Sequence, residues 1–138
     1  MDRQTVITIV ILLLICILFF LAYLNSKKIP VRKKETIYEK LEDIRRQIDS
    51  HEVYARRDAI IKLDNLLGRA FNLRYNNEKS CGDNLKTAKK LFTKKEYQQL
   101  WDMHKIRNEI VHKDADISLS ETNEAYKVYK MGINRALK

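Results

Sequence analysis

The chain has 138 residues, a formal charge of +9, and 45% hydrophobic against 33% charged residues. That is room for one modest domain and an appendage. Cys16 lies in an apolar run and Cys81 in a polar stretch, which excludes an intrachain disulfide framework, and no Cys/His cluster has zinc spacing.

The appendage comes first. Thr5 to Leu24 carries no charge and is about as long as a helix that crosses a bilayer core. A cleaved secretory signal is the alternative. It is disfavoured because Met1-Asp2-Arg3-Gln4 has no clear positive region and no small-x-small cleavage site precedes Asn25. Residues 1–4 then form a tail and 5–24 a transmembrane helix. Lys27, Lys28, Arg32, Lys33 and Lys34 crowd the far side of the span, whereas Asp2 and Arg3 cancel on the near side. This asymmetry predicts a single-pass protein of the cell membrane with its N-terminus outside and residues 25–138 in the cytosol. Residues 25–34 read as a basic linker, containing the only proline, that would lie against anionic headgroups.

Residues 35–138 read as a helical domain. Ile37, Leu41, Ile44 and Ile48 recur at helical spacing and predict a helix near 35–49. Ala59, Ile60, Leu63, Leu66, Leu67, Ala70 and Phe71 predict a second over 53–75, and the polar run 76–84 with Gly82 reads as a loop. A short helix over 85–92 would be capped by Asp83 or Asn84. Thr93-Lys94-Lys95-Glu96 fits a capping box opening a helix over 94–112, with Tyr97, Leu100, Trp101 and Val111 inward. Ser118 or Ser120 would cap a last helix whose stripe is Ala125, Val128, Tyr129, Gly132 and Ala136. No alternating strand pattern appears, so the fold class is all-α. Four or five helices of this length bury a marginal core, which a second copy often completes.

The most informative chemistry is Arg107-Asn108-Glu109-Ile110-Val111-His112. Cleavage of an RNA phosphodiester needs a base for the ribose 2′-hydroxyl and an acid for the leaving oxygen; an imidazole does either near neutral pH. The phosphorane between them carries extra negative charge, which a forked guanidinium matches. Asn108 and His112 share a helix face, and His104 precedes them on the same line. Arg107 lies about 140° around an ideal helix from His112. One chain does not place the two neatly side by side; a long arginine would reach round, or a second subunit would bring two copies together over one substrate. Neither cofactor nor metal is called for. Arg46-Gln47-Ile48-Asp49-Ser50-His51 repeats the spacing and is discounted because Gln47 follows the arginine.

In context the later copy carries more. The stretch from Leu100 to His112, followed by Asp114 and by Ile117-Ser118 opening a last helix, resembles the HEPN family of small all-helical domains found in many prokaryotic RNases and toxins. Arg107, Asn108 and His112 match its signature of Arg, then a polar residue, then His. Ala59 to Leu67 and Asn84 to Lys89 resemble its helical part less specifically. The resemblance covers about residues 36–138 and implies a four- to five-helix bundle, a homodimer, and an Arg107–His112 cleft that cuts RNA without metal. Some members of that family have lost catalysis and only bind RNA or nucleotides, or serve as docking domains. The alternative implied is therefore a non-catalytic helical interaction or RNA-binding module at the membrane.

Other residues read more plainly. Lys89, Lys90, Lys94 and Lys95 could guide a phosphate backbone, although solvated helix faces look the same. Trp101 could stack on a base but fits the core better beside Tyr97. His104 could join the site, and Asp64, beside an apolar stripe, suits a cap or salt bridge better than catalysis. No Gly-rich phosphate loop, Ser-His-Asp arrangement or paired-carboxylate site stands out.

Overall fold

The computed structural model describes residues 1–138 and is all-α, without strands. The chain divides into two compact units, Met1–Pro30 and Val31–Lys138. The first is helix α1, Arg3–Ser26, a 24-residue helix with no buried side chain. It is long and apolar enough to cross a membrane.

The second unit holds the whole core. Helix α2 spans Val31–Ile48, α3 Val53–Tyr75, α4 Cys81–Thr87, α5 Lys94–Lys113 and α6 Leu119–Ala136, with a 3-10 turn at Ala88–Leu91. Helix α2 begins four residues before its apolar stripe would suggest. Pro30 has no N–H to lose at a helix entrance, and the first turn, Val31 to Lys34, is polar or exposed and leaves no periodic signal. Arg32, Lys33 and Lys34 are therefore helical rather than linker.

Helix α3 is the centre and packs against α2, α4, α5 and α6. It buries Ala59, Ile60, Leu63, Leu66, Leu67, Ala70 and Phe71 against Ile37, Leu41, Ile44 and Ile48 of α2 and Ala125, Val128, Tyr129, Ile133 and Ala136 of α6. Gly132 of α6 is required by close approach. A Cβ there would stand 2.8 Å from Leu100 Cδ2 and 3.1 Å from Leu67 Cδ1. Outside the core, Tyr38 Oη donates to Asn134 Oδ1 at 3.0 Å and Arg45 Nη1 to Asn123 Oδ1 at 2.7 Å, linking α2 to α6. Arg56 Nε donates to the Ile117 carbonyl at 3.2 Å, and Arg57 pairs with Asp114, tying the start of α3 to the α5–α6 connection.

Helix boundaries follow side-chain chemistry. Both capping boxes form: Thr93 with Glu96 at α5, and Ser118 with Glu121 at α6. Ser118, not Ser120, is the α6 cap. Helix α4 starts at Cys81 with Ser80 as its cap, so the expected loop shrinks and Asp83 and Asn84 fall inside the helix. The seven-residue α4 buries one large apolar side chain, Leu85, too few to show a period. Asn84 is buried instead. Its Nδ2 donates to Asn72 Oδ1 at 2.6 Å and to Asn77 Oδ1 at 3.0 Å, holding the turn after α3. Asn76 ends α3 and Asp114 ends α5, each with positive φ. Val111 is 45% exposed, contrary to the expected inward position. Ile110 takes that place at 3% exposure, and its neighbour one step along an α-helix turns about 100° away.

Candidate functional site

Asp64 stands in the buried stripe of α3, between Leu63 and Leu67, at 1% exposure. A carboxylate there needs partners, since a buried unpaired charge is costly. Three helices supply four of them. From α6, Tyr129 Oη donates to Asp64 Oδ1 at 3.1 Å. From α5, His104 Nδ1 lies 2.9 Å from the same oxygen, and Arg107 Nε lies 3.7 Å from Asp64 Oδ2. From the first turn of α4, the Cys81 sulfur comes within 4.8 Å of the carboxylate. Burial, then the charge of Asp64, pushes the Cys81 thiol far above its ordinary range. The same two causes raise the Tyr129 hydroxyl. Both groups therefore stay protonated across the neutral range.

Spacing on α5 explains the convergence. His104 and Arg107 are three residues apart and share the face turned to α3. The His104 ring packs edge-on to Trp101, with centroids 5.7 Å apart. Its Nε2 would lie 3.1 Å from a Cβ at position 82, so glycine there lets α4 approach.

The Arg107 side chain is 25% exposed. Its Nη1 donates to Asn108 Oδ1 at 3.0 Å. Its Nε is buried with no hydrogen-bond partner, and Nη2 makes no hydrogen bond within the chain. One of five N–H donors is thus spent. Asn108, although it shares a helix face with His112, accepts from the guanidinium. His112 is exposed and makes neither a side-chain hydrogen bond nor an ion pair. Within one chain, then, the expected trio divides into a held Arg107–Asn108 pair and an outward His112. The imidazole that shares a partner with Arg107 is His104.

The remaining candidates are surface residues. Lys89 and Lys90 lie on the 3-10 turn and Lys94 and Lys95 in the first turn of α5; all four are exposed and outside any salt bridge. Trp101 and Tyr97 are half-buried, with rings edge-to-face at 6.3 Å. Arg46 pairs with Asp43 on the surface and His51 is exposed, so the earlier Arg–His repeat forms no cluster.

From the sequence, Cys81 reads as an unpaired thiol, Tyr129 as a core residue and Asp64 as a cap or salt-bridge partner, none of them as part of a site. The one available signal was an acidic residue at a core position of α3. The partners at 81, 104 and 129 follow no recognised spacing, and only the packing of α4, α5 and α6 around α3 assembles them. No family model, curated protein or solved structure matches this chain.

Proposed function

We propose that this chain is a membrane-anchored, HEPN-like endoribonuclease that cleaves RNA without a metal, with Arg107 and His112 in the reaction and Asn108 assisting. The observation that supports it most is the state of Arg107: a guanidinium held by Asp64 and Asn108, partly exposed, with most of its donors unspent. Such a group takes an anion, and a phosphate oxygen fits its fork. In the reaction, an imidazole removes the 2′-hydroxyl proton and the oxygen attacks the adjacent phosphorus. The P–O5′ bond breaks, a proton passes to the leaving oxygen, and a 2′,3′-cyclic phosphate and a 5′-hydroxyl remain. Arg107 stabilises the charge of the phosphorane. His112, outward and five residues on, serves the Arg107 of a second copy, and the exposed Val111 beside it offers that copy apolar surface. Helix α1 spans the membrane with residues 25–138 in the cytosol, on the charge asymmetry of its flanks. Lys89, Lys90, Lys94 and Lys95 attract the RNA backbone.

The test is RNA cleavage in EDTA by residues 31–138, which contain every buried side chain of the chain, for wild type, Arg107→Ala and His112→Ala. Wild type should cleave and release cyclic phosphate ends, and each variant should lose at least about a hundredfold in rate. Equal cleavage by all three, or none, removes the reading. A sedimentation mass of this fragment should be that of a dimer; a strict monomer at high concentration counts against the shared cleft.

A second reading rests on the isolation of His112 within the chain: a non-catalytic module that binds RNA or a partner at the membrane through Arg107 and the lysines. It requires binding that survives His112→Ala, without turnover.

A further inference from the structure

The geometry points to Asp64, Cys81 and His104 as a binding site for a transition-metal ion of the zinc class. The carboxylate, the thiol sulfur and one imidazole nitrogen come from α3, α4 and α5, and the three donor atoms lie within 4.8 Å of one another. Ligands of a tetrahedral zinc stand roughly 3.3–3.8 Å apart, given metal–ligand bonds of 2.0–2.3 Å. Small side-chain adjustments therefore close the site. The donor set selects the ion. Thiolate and imidazole favour zinc and its neighbours over magnesium and calcium, which prefer oxygen throughout.

The ion displaces one proton, which leaves Cys81 as thiolate with the proton passing to solvent. Thiolate and carboxylate together offset the two charges of the ion, and the one positive charge left over is that of Arg107, whose side chain is 25% exposed to water. Supporting contacts are in place. Tyr129 Oη donates to Asp64 Oδ1 and Arg107 faces Oδ2, orienting the carboxylate as outer-shell groups do in metal sites. Of the three donors, Cys81 also borders a cleft of about 420 Å³ lined by Asn65, Gly68, Arg69, Asn72, Lys79 and Ser80. Three protein donors leave a fourth position for water. The site does not depend on the ribonuclease reading.

Cobalt(II) titration of the full chain in detergent micelles, reduced and stripped with chelator, tests it. Wild type should take up one cobalt per chain and develop both a thiolate-to-metal charge-transfer band and the visible bands of tetrahedral cobalt, and zinc should bleach both. Cys81→Ala should lose the charge-transfer band. Cys16→Ala, which removes the only other thiol, should keep it. His104→Gln should bind weaker by more than the 10–100-fold that outer-shell changes cost. Circular dichroism checks that the variants are folded. Independently, zinc should protect Cys81 of the Cys16→Ala chain from maleimide. No thiolate band in wild type, a band that survives Cys81→Ala, or maleimide reaction unaffected by zinc overturns the site.

Discussion

Removing the Asp64 carboxylate should be among the most damaging single changes in the bundle, and the structure ranks its variants. Asp64→Ala deprives the Tyr129 hydroxyl of its acceptor in a place with no access to water, since Tyr129 is 0% exposed. An orphaned buried donor costs about 1–3 kcal/mol. The same change removes the negative charge facing Arg107. Breaking a buried pair costs about 3–5 kcal/mol, and the 25% exposure of Arg107 moves its share below that range because water can reach the guanidinium. Allowing for overlap between the two effects, a loss of roughly 3–5 kcal/mol follows, a large part of the about 5–15 kcal/mol available to a small domain. Asp64→Asn keeps an oxygen for Tyr129 and His104 but turns an amide toward Arg107, so about 1–3 kcal/mol is expected. Urea unfolding of residues 31–138 followed by far-UV circular dichroism reads both. A double-mutant cycle sharpens the comparison: in a Tyr129→Phe background, Asp64→Ala should cost less by about 1–2 kcal/mol, since no donor is left stranded. Asp64→Ala costing below about 1 kcal/mol, or additivity in the cycle, would refute the assignment of Asp64 as the acceptor around which α4, α5 and α6 meet.

Other outcomes follow from single contacts. Gly132→Ala gains about 1 kcal/mol of helix propensity but drives a Cβ into Leu100 and Leu67, so a net loss of roughly 1 kcal/mol is expected; Gly132→Val should lose more, and unfolding curves unchanged for both would mean the helices are not in close contact. Thr93→Ala and Ser118→Ala should each destabilise by about 1 kcal/mol, whereas Ser120→Ala, two residues past the cap, should leave the urea midpoint unmoved. Stability should fall in acid for a stated set of carboxylates. Burial pushes Asp58 up but hydrogen bonds from Lys62 and Gln47 outweigh it, the Thr93 amide and Arg135 lower Glu96, and the Ser118 hydroxyl and amide lower Glu121. Each has a folded pKa below its unfolded one, so the unfolded chain takes up protons first. Their contribution is present above the ordinary carboxylate range and fades as pH drops below about 5 toward the depressed folded values. Glu121→Gln should flatten the acid limb of a pH–stability curve, and a limb unchanged by that substitution would refute its share.

The sequence alone determined the elements. A charge-free run long enough for a bilayer, apolar residues repeating at helical spacing, and Thr or Ser three places before Glu are local signals. Their physics is complete within one turn or one span, so α1, α3, α5 and the cap at Thr93 are legible, and the cap of α6 narrows to Ser118 or Ser120. Where a helix lacked a periodic face the signal failed, as in α4 with its single large apolar side chain and in the basic first turn of α2. Tertiary structure alone decided the site. Arg107 and His112 are five residues apart in the chain, yet one is drawn inward and the other faces solvent, because a helix turns neighbours to different faces. Asp64, Cys81, His104 and Tyr129 span 65 residues and meet because a buried carboxylate must gather donors from whichever helices pack around it. Such compensation is a property of the assembled interior and leaves no spacing to read in the chain.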